Sequence, residues 1–149
     1  MLLTRRAALA ALPLIMAAAA DAAAPPVIQV VKTPTCGCCN RWVAHLRRAG
    51  FQVRVTETED VGPTARRLGV PDDLRSCHTA SVGGYAIEGH VPATDIQRLL
   101  RERPAAAGIA VPGMPMGSPG MEGGGTEPYQ VILFTRSGQR RVFARHGGA

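Results

Sequence analysis

The sequence predicts an α/β domain built on a mixed sheet. Two observations predict it. Segments of strand period alternate with segments of helical period in the order β-α-β-α-β-β-α across residues 27–102. At the first strand-to-helix junction stand three closely spaced thiols, Cys36-Gly37-Cys38-Cys39. A dithiol on such a turn, in that order of elements, describes a thioredoxin-like three-layer domain.

Each element has a local reason. Val27 to Val31 is a short β-branched run behind a proline pair, and reads as a buried strand. Thr33-Pro34-Thr35 breaks it and delivers the cysteines. Asn40 to Ala49 has helical spacing, with Trp42, Val43, Leu46 and Ala49 on one face and Arg41, Arg47 and Arg48 on the other. Gly50 ends it at the C′ position. Phe51 to Val55 alternates with period two and is a second strand. Asp60 is placed to cap a short helix through Arg66-Arg67-Leu68, which Gly69 stops. Ser76 to Val82, the Gly83-Gly84 turn and Tyr85 to Ile87 make a hairpin. Thr94 to Glu102 is a third helix with Ile96, Leu99 and Leu100 facing in.

Beyond that helix the composition changes. Residues 108–125 read GIAVPGMPMGSPGMEGGG, a Gly/Pro-rich stretch read as a loop with neither helix nor regular strand. Tyr129 to Phe134 and Arg140 to Ala144 alternate around Ser137-Gly138, a C-terminal hairpin with Val131, Leu133, Val142 and Phe143 as core contacts. The mature chain, 25–149, is therefore expected to be one domain: a core over 27–104, a methionine-bearing loop over 108–125 and a hairpin over 129–145.

Residues 1–24 read as an export signal. Arg5-Arg6 precedes an apolar run from Ala7 to Ala20, and Ala18-Ala19-Ala20 offers a small-residue cleavage site. The run is short and alanine-rich for a membrane span, so no stable span is expected after its removal. The arginine pair suits a Sec or a twin-arginine route, and either implies a periplasmic protein. Disulfides persist in that compartment. The net charge of +6 falls to +4 without Arg5 and Arg6. It is spread along the chain with no aromatic-laced basic stripe, which argues against nucleic acid as a partner. With 4% aromatics, the core must be aliphatic.

The candidate chemistry is that of sulfur. The end of a helix dipole at the cysteine turn favours thiolates, and Lys32 and Arg41 would add to this if they reach it. Cys36 and Cys39 have the spacing of a thiol–disulfide exchange pair. Cys38 and the distant Cys77, expected on the strand beside the turn, complicate that reading and enlarge the inventory to a metal site. Three thiols so close suit bridging thiolates that share several soft ions, and Cu(I) is such an ion. Met114, Met116 and Met121 all sit in the Gly/Pro loop, without the spacing of a core element, and thioether sulfur is a Cu(I) ligand. Packing as gap-fillers is their alternative use. His78, next to Cys77, and His90, in a turn before the third helix, are candidate imidazole ligands that would also accept Cu(II). His45 reads as a solvated rim residue. No paired carboxylates suggest acid–base catalysis.

These motifs resemble the CopG-type copper-resistance proteins, an exported thioredoxin-like family. The resemblance runs through Cys36-Gly37-Cys38-Cys39, Trp42, Gly69-Val70-Pro71, Ser76-Cys77-His78-Thr79-Ala80, Glu88-Gly89-His90-Val91-Pro92, and the Met-bearing segments Ala110 to Pro115 and Gly117 to Glu122. It implies a periplasmic domain with cysteine-bridged copper and interconversion of Cu(I) and Cu(II). The cluster role falls on Cys36, Cys38, Cys39 and Cys77, with His78, Met114, Met116 and Met121 as further ligands. Copper ions and periplasmic copper-handling proteins are the expected partners. Copper oxidoreduction is the enzymatic activity this leaves open; thiol–disulfide exchange at Cys36 and Cys39, or delivery of copper as a chaperone, are the other readings.

Overall fold

The run behind Pro26 forms β1 (Ile28–Lys32), with Ile28 and Val30 buried and Gln29 exposed, as alternation requires. The structure, a computed structural model, describes residues 26–147; the export segment read over residues 1–24 lies outside them.

Helix α1 (Gly37–Arg48) starts three residues earlier than its apolar periodicity suggested. The reason is Cys36, whose Sγ accepts the Cys39 N–H at 3.3 Å and so serves as the N-cap. Two of the thiols are therefore inside the helix. At the other end Gly50 has φ +91°, Phe51 N–H reaches Leu46 O and Gly50 N–H reaches Arg47 O. That double bond pattern is a Schellman closure. It carries Phe51 into the core and delays β2 to Val53–Glu57.

Helix α2 (Gly62–Leu68) is capped differently from the expectation. Val61 occupies the N-cap without a side-chain bond, and Asp60 lies one residue outside, its carboxylate accepting the Gly62 N–H at 2.8 Å. Pro63 in the first turn lacks the donor that an N-cap side chain would satisfy. A 3₁₀ turn (Asp72–Leu74) leads to the hairpin β3 (His78–Val82) and β4 (Tyr85–Glu88). Helix α3 is Ala93–Glu102.

The Gly/Pro stretch is not all loop. Its first three residues form β5 (Gly108–Ala110), parallel to β4 and wholly buried. A Cβ on Gly108 would lie 2.1 Å from Ala86 O, so glycine permits the close approach. A breaker by propensity acts here as a spacer. β6 (Tyr129–Phe134) then pairs with β5, and β7 (Arg140–His146) with β6. The C-terminal hairpin thus extends one sheet of order β2-β1-β3-β4-β5-β6-β7. The sheet is mixed: β1 and β2 are parallel, β3 is antiparallel to β1 and β4.

Alternation splits the core between the two faces. One face packs Ile28, Val30, Ile87, Ile109, Val131 and Leu133 against Trp42, Leu46, Ile96 and Leu99 of α1 and α3. The other packs Ala86, Ala110 and Phe134 against Ala65 and Leu74. Each large aliphatic or aromatic side chain so buried contributes about 1.5–3 kcal/mol. Val142, expected in the core, is 37% exposed, because it lies on the outermost strand opposite a β-bulge at Val131/Ile132. Among the described residues no helix is long and apolar enough to cross a membrane.

Candidate metal centre

The site forms where β1 ends. Cys36, Cys38 and Cys39 lie on one helical turn just beyond Lys32. The antiparallel register of β1 and β3 puts His78 opposite Lys32. Cys77, one residue before His78, is therefore carried to the mouth of the same turn, 38 residues or more from its sulfur neighbours in sequence.

The sulfurs are close. Cys77 Sγ lies 3.3 Å from Cys39 Sγ, 3.5 Å from Cys36 Sγ and 3.9 Å from Cys38 Sγ, and Cys36 and Cys38 are 3.5 Å apart. Cys36 and Cys39 are joined in a disulfide, while Cys38 and Cys77 are free. A thiolate–metal bond of about 2.3 Å implies a ligand–ligand spacing of about 3.8 Å in a tetrahedron. The non-bonded spacings bracket that figure. Bridged ions fit the same set. Burial pushes the Cys77 thiol up from its ordinary range, so a bound cation has a proton to displace there.

The positive side chains do not point at the sulfurs' needs. Lys32 is buried, with Nζ donating to Glu57 Oε1 at 2.8 Å and to Thr33 O. Arg41 Nε donates to Gly120 O at 2.8 Å. That bond docks the methionine loop onto α1, and Gly120 packs so tightly that a Cβ would sit 2.6 Å from Cys38 O. The loop is thereby held over the thiols. Met114 Sδ lies 3.9 Å from Cys38 Sγ and 4.0 Å from Cys77 Sγ while its side chain is 48% exposed. Met116 instead turns its methyl against Gly124, and Met121 closes a turn with Gly117 and Ser118 through its backbone.

Two histidines extend the site inward. His78 is stacked between Trp42 and His90, with ring centroids 4.3 and 5.4 Å away. Its Nε2–H donates to Gly89 O at 2.9 Å, which leaves the Nδ1 lone pair 3.9 Å from Cys77 Sγ. Burial first, then the neighbouring His90, pulls its pKa down to about 3, so the ring is a neutral donor. At His90 the Ser118 hydroxyl is already committed to Pro115 O, so His90 Nδ1–H faces the Ser118 oxygen at 3.5 Å. The bare Nε2 of His90 is buried with no hydrogen-bond partner. One donor atom from each of Cys77, His78 and His90 lies within 4.8 Å of the others, as do those of the four cysteines. Unprotonated imidazoles beside clustered sulfur are what a soft or borderline cation requires.

Three residues with no role assigned from sequence also belong to the surroundings. His45, expected at a solvated rim, is half-buried and accepts the Ala93 N–H at 3.1 Å, supplying the cap that Pro92 cannot give α3. Ser118 orients His90. Glu88, at the end of β4, is fully buried and bonded to Ser76 and Thr79, with burial raising its carboxyl to about 7. Its signal in the sequence was a charge closing the apolar strand Tyr85-Ala86-Ile87.

Comparison with known proteins agrees with this geometry. A family model described as a protein of unknown function, DUF411, matches residues 74–121, the span that carries Cys77, both site histidines and the methionines. No curated protein matches. Two solved structures are similar over most of their length. Copper resistance protein CopG, form 1, is 49% identical with a TM-score of 0.78, covering 83% of this chain and 99% of the other. Its form 2 is 49% identical with a TM-score of 0.77, covering 82% and 98%. With half the residues identical over nearly the whole of that protein, and with its own cluster of sulfur donors able to hold a metal, this chain belongs to the CopG family of copper resistance proteins.

Proposed function

We propose that the protein is an exported, thioredoxin-like copper-binding protein that holds Cu(I) on Cys36, Cys38, Cys39 and Cys77. Met114 lies at its exposed side, and His78 and His90 supply nitrogen toward Cu(II). The mutual spacing of the four cysteine sulfurs carries the reading. Thiol–disulfide exchange with an external dithiol, which leaves as its own disulfide, frees Cys36 and Cys39 and makes all four sulfurs available as thiolates. The strand order β2-β1-β3-β4, with β3 antiparallel, supports the thioredoxin-like description, and the Arg5-Arg6 and alanine-rich leader supports export to the periplasm. Thiolates favour Cu(I) and imidazoles admit Cu(II), so a mixed donor set supports interconversion of the two states.

Anaerobic Cu(I) titration of the reduced protein tests this. The Cys38→Ser protein should bind fewer ions or bind them more weakly; unchanged number and affinity would defeat the clustered site. X-ray absorption on the loaded protein reads nuclearity, since bridged ions give a Cu–Cu scattering feature and a lone ion does not.

The disulfide favours a second reading, thiol–disulfide exchange. Cys77 Sγ stands 3.3 Å from one bonded sulfur and 3.5 Å from the other. In that case insulin reduction should persist in metal-free buffer and be lost in Cys36→Ser. Delivery of copper to a periplasmic partner would instead show as transfer to an acceptor slowed by replacing Met114, Met116 and Met121.

A further inference from the structure

We propose that Glu88 is a positioning residue for the metal centre, its carboxylate locking residues 76–79 so that the Cys77 sulfur faces the other three. Cys77 lies just outside β3, so the β1–β3 ladder, which starts at His78, does not hold it. What holds the segment is Glu88. The β3–β4 register sets Glu88 opposite Thr79. One carboxylate oxygen accepts the Ser76 N–H at 2.6 Å, and the other accepts the Thr79 hydroxyl at 2.7 Å. The two bonds straddle Cys77 and His78. Next in the chain, Gly89 has φ +71° and packs against Ser76 and Val111 O, where a Cβ would not fit, and its carbonyl accepts the His78 ring Nε2–H. Residues 88 and 89 therefore grip Ser76, His78 and Thr79 together.

A fully buried carboxylate is costly without partners. Glu88 has no salt bridge among the described residues; the nearby Arg75 pairs with Asp72. Its oxygens are spent on one backbone N–H and one hydroxyl. Holding that segment is thus the work its burial supports. The tolerance is small, because Cys77 Sγ makes its three sulfur contacts within 3.3–3.9 Å.

The inference rests on Cys77 being a ligand as proposed above, so its test has an arm without copper. In the reduced full chain, Cu(I) affinity is measured by competition with a colorimetric chelator. Separately, the rate of Cys77 alkylation in copper-free buffer is followed by peptide mass spectrometry. Glu88→Ala should weaken Cu(I) binding about 10–100-fold, the range for losing a group that orients a ligand, and should speed Cys77 alkylation. Glu88→Gln should stay close to wild type on both, its carbonyl taking Ser76 N–H and its amide donating to Thr79. Thr79→Val should shift both readouts in the same direction as Glu88→Ala, by less. A folded Glu88→Ala protein with wild-type affinity and alkylation overturns the proposal, as does a Glu88→Gln protein as impaired as Glu88→Ala. If Glu88→Ala does not fold, wild-type behaviour of Thr79→Val on both readouts overturns it. Should the wild-type protein bind no copper, the alkylation arm alone decides, which separates failure of this role from failure of the copper reading.

Discussion

At the scale of single residues, the imidazoles set the response to pH. Burial first, and then Arg48, holds His45 below the ordinary imidazole range, with Glu122 pulling the other way. The folded state therefore prefers neutral His45, which it needs as the acceptor for Ala93 N–H. That contribution is present above the unfolded value near 6.5 and is lost as pH falls through the lowered folded one. His78, at about 3, has the same sign and a wider window. Glu88 runs opposite: raised from 4.5 to about 7, it contributes below 4.5 and loses that contribution as pH rises through 7. His45→Ala should cost about 1 kcal/mol at pH 8, the usual worth of a helix cap. It should also flatten the loss of stability below pH 6.5, read as urea midpoints across pH. Sequence made the thiols and His78 legible as candidate ligands because their types and spacing are chemical signals, and the structure brings them together. Sequence did not show the roles of His45 and Glu88, because each acts through a backbone N–H contributed by a different segment.

Among the elements, α1 and the loop that lies on it form one unit. Gly120 has φ +97° and no room for a Cβ against Cys38 O. Gly120→Ala should destabilise by about 1–3 kcal/mol, the cost of a residue forced into such a conformation, and should speed loss of Cu(I) to a chelator. Urea unfolding and stopped-flow transfer check the two effects. At β5 the approach of Gly108 to Ala86 O is closer still. Gly108→Val should part β4 from β5, lower the thermal midpoint sharply and raise amide exchange in β6 and β7. Periodicity located the amphipathic helices and the C-terminal hairpin, which have one wet and one dry face, whereas the buried β3–β4 hairpin was marked by its Gly83-Gly84 turn. It hid β5, which is paired on both edges and buried throughout, so it has no alternation to reveal it. Its three residues also stand at the head of a glycine- and proline-rich stretch.

For the molecule as a whole, copper should act as a folding ligand. A reduced chain saturated at a thousand times its dissociation constant gains about 4 kcal/mol, so the thermal midpoint should rise with copper and fall back on chelation. The oxidised chain, with Cys36 and Cys39 bonded, should show a smaller rise under the same titration. The far end of the sheet is fastened by contacts that sequence order does not suggest: Arg98 lies over Phe143 and donates to its carbonyl, and His146 meets Asp95 at 2.6 Å. The docking of Gly120 on α1 has a consequence for how the protein can be divided. A fragment ending near residue 110 would carry every cysteine yet have no roof above them. The shortest piece that owns all the thiols is thus not the shortest that shelters them, and during synthesis the three thiols of the Cys36–Cys39 turn stay uncovered until Gly120, 79 residues beyond Arg41, has emerged and folded back.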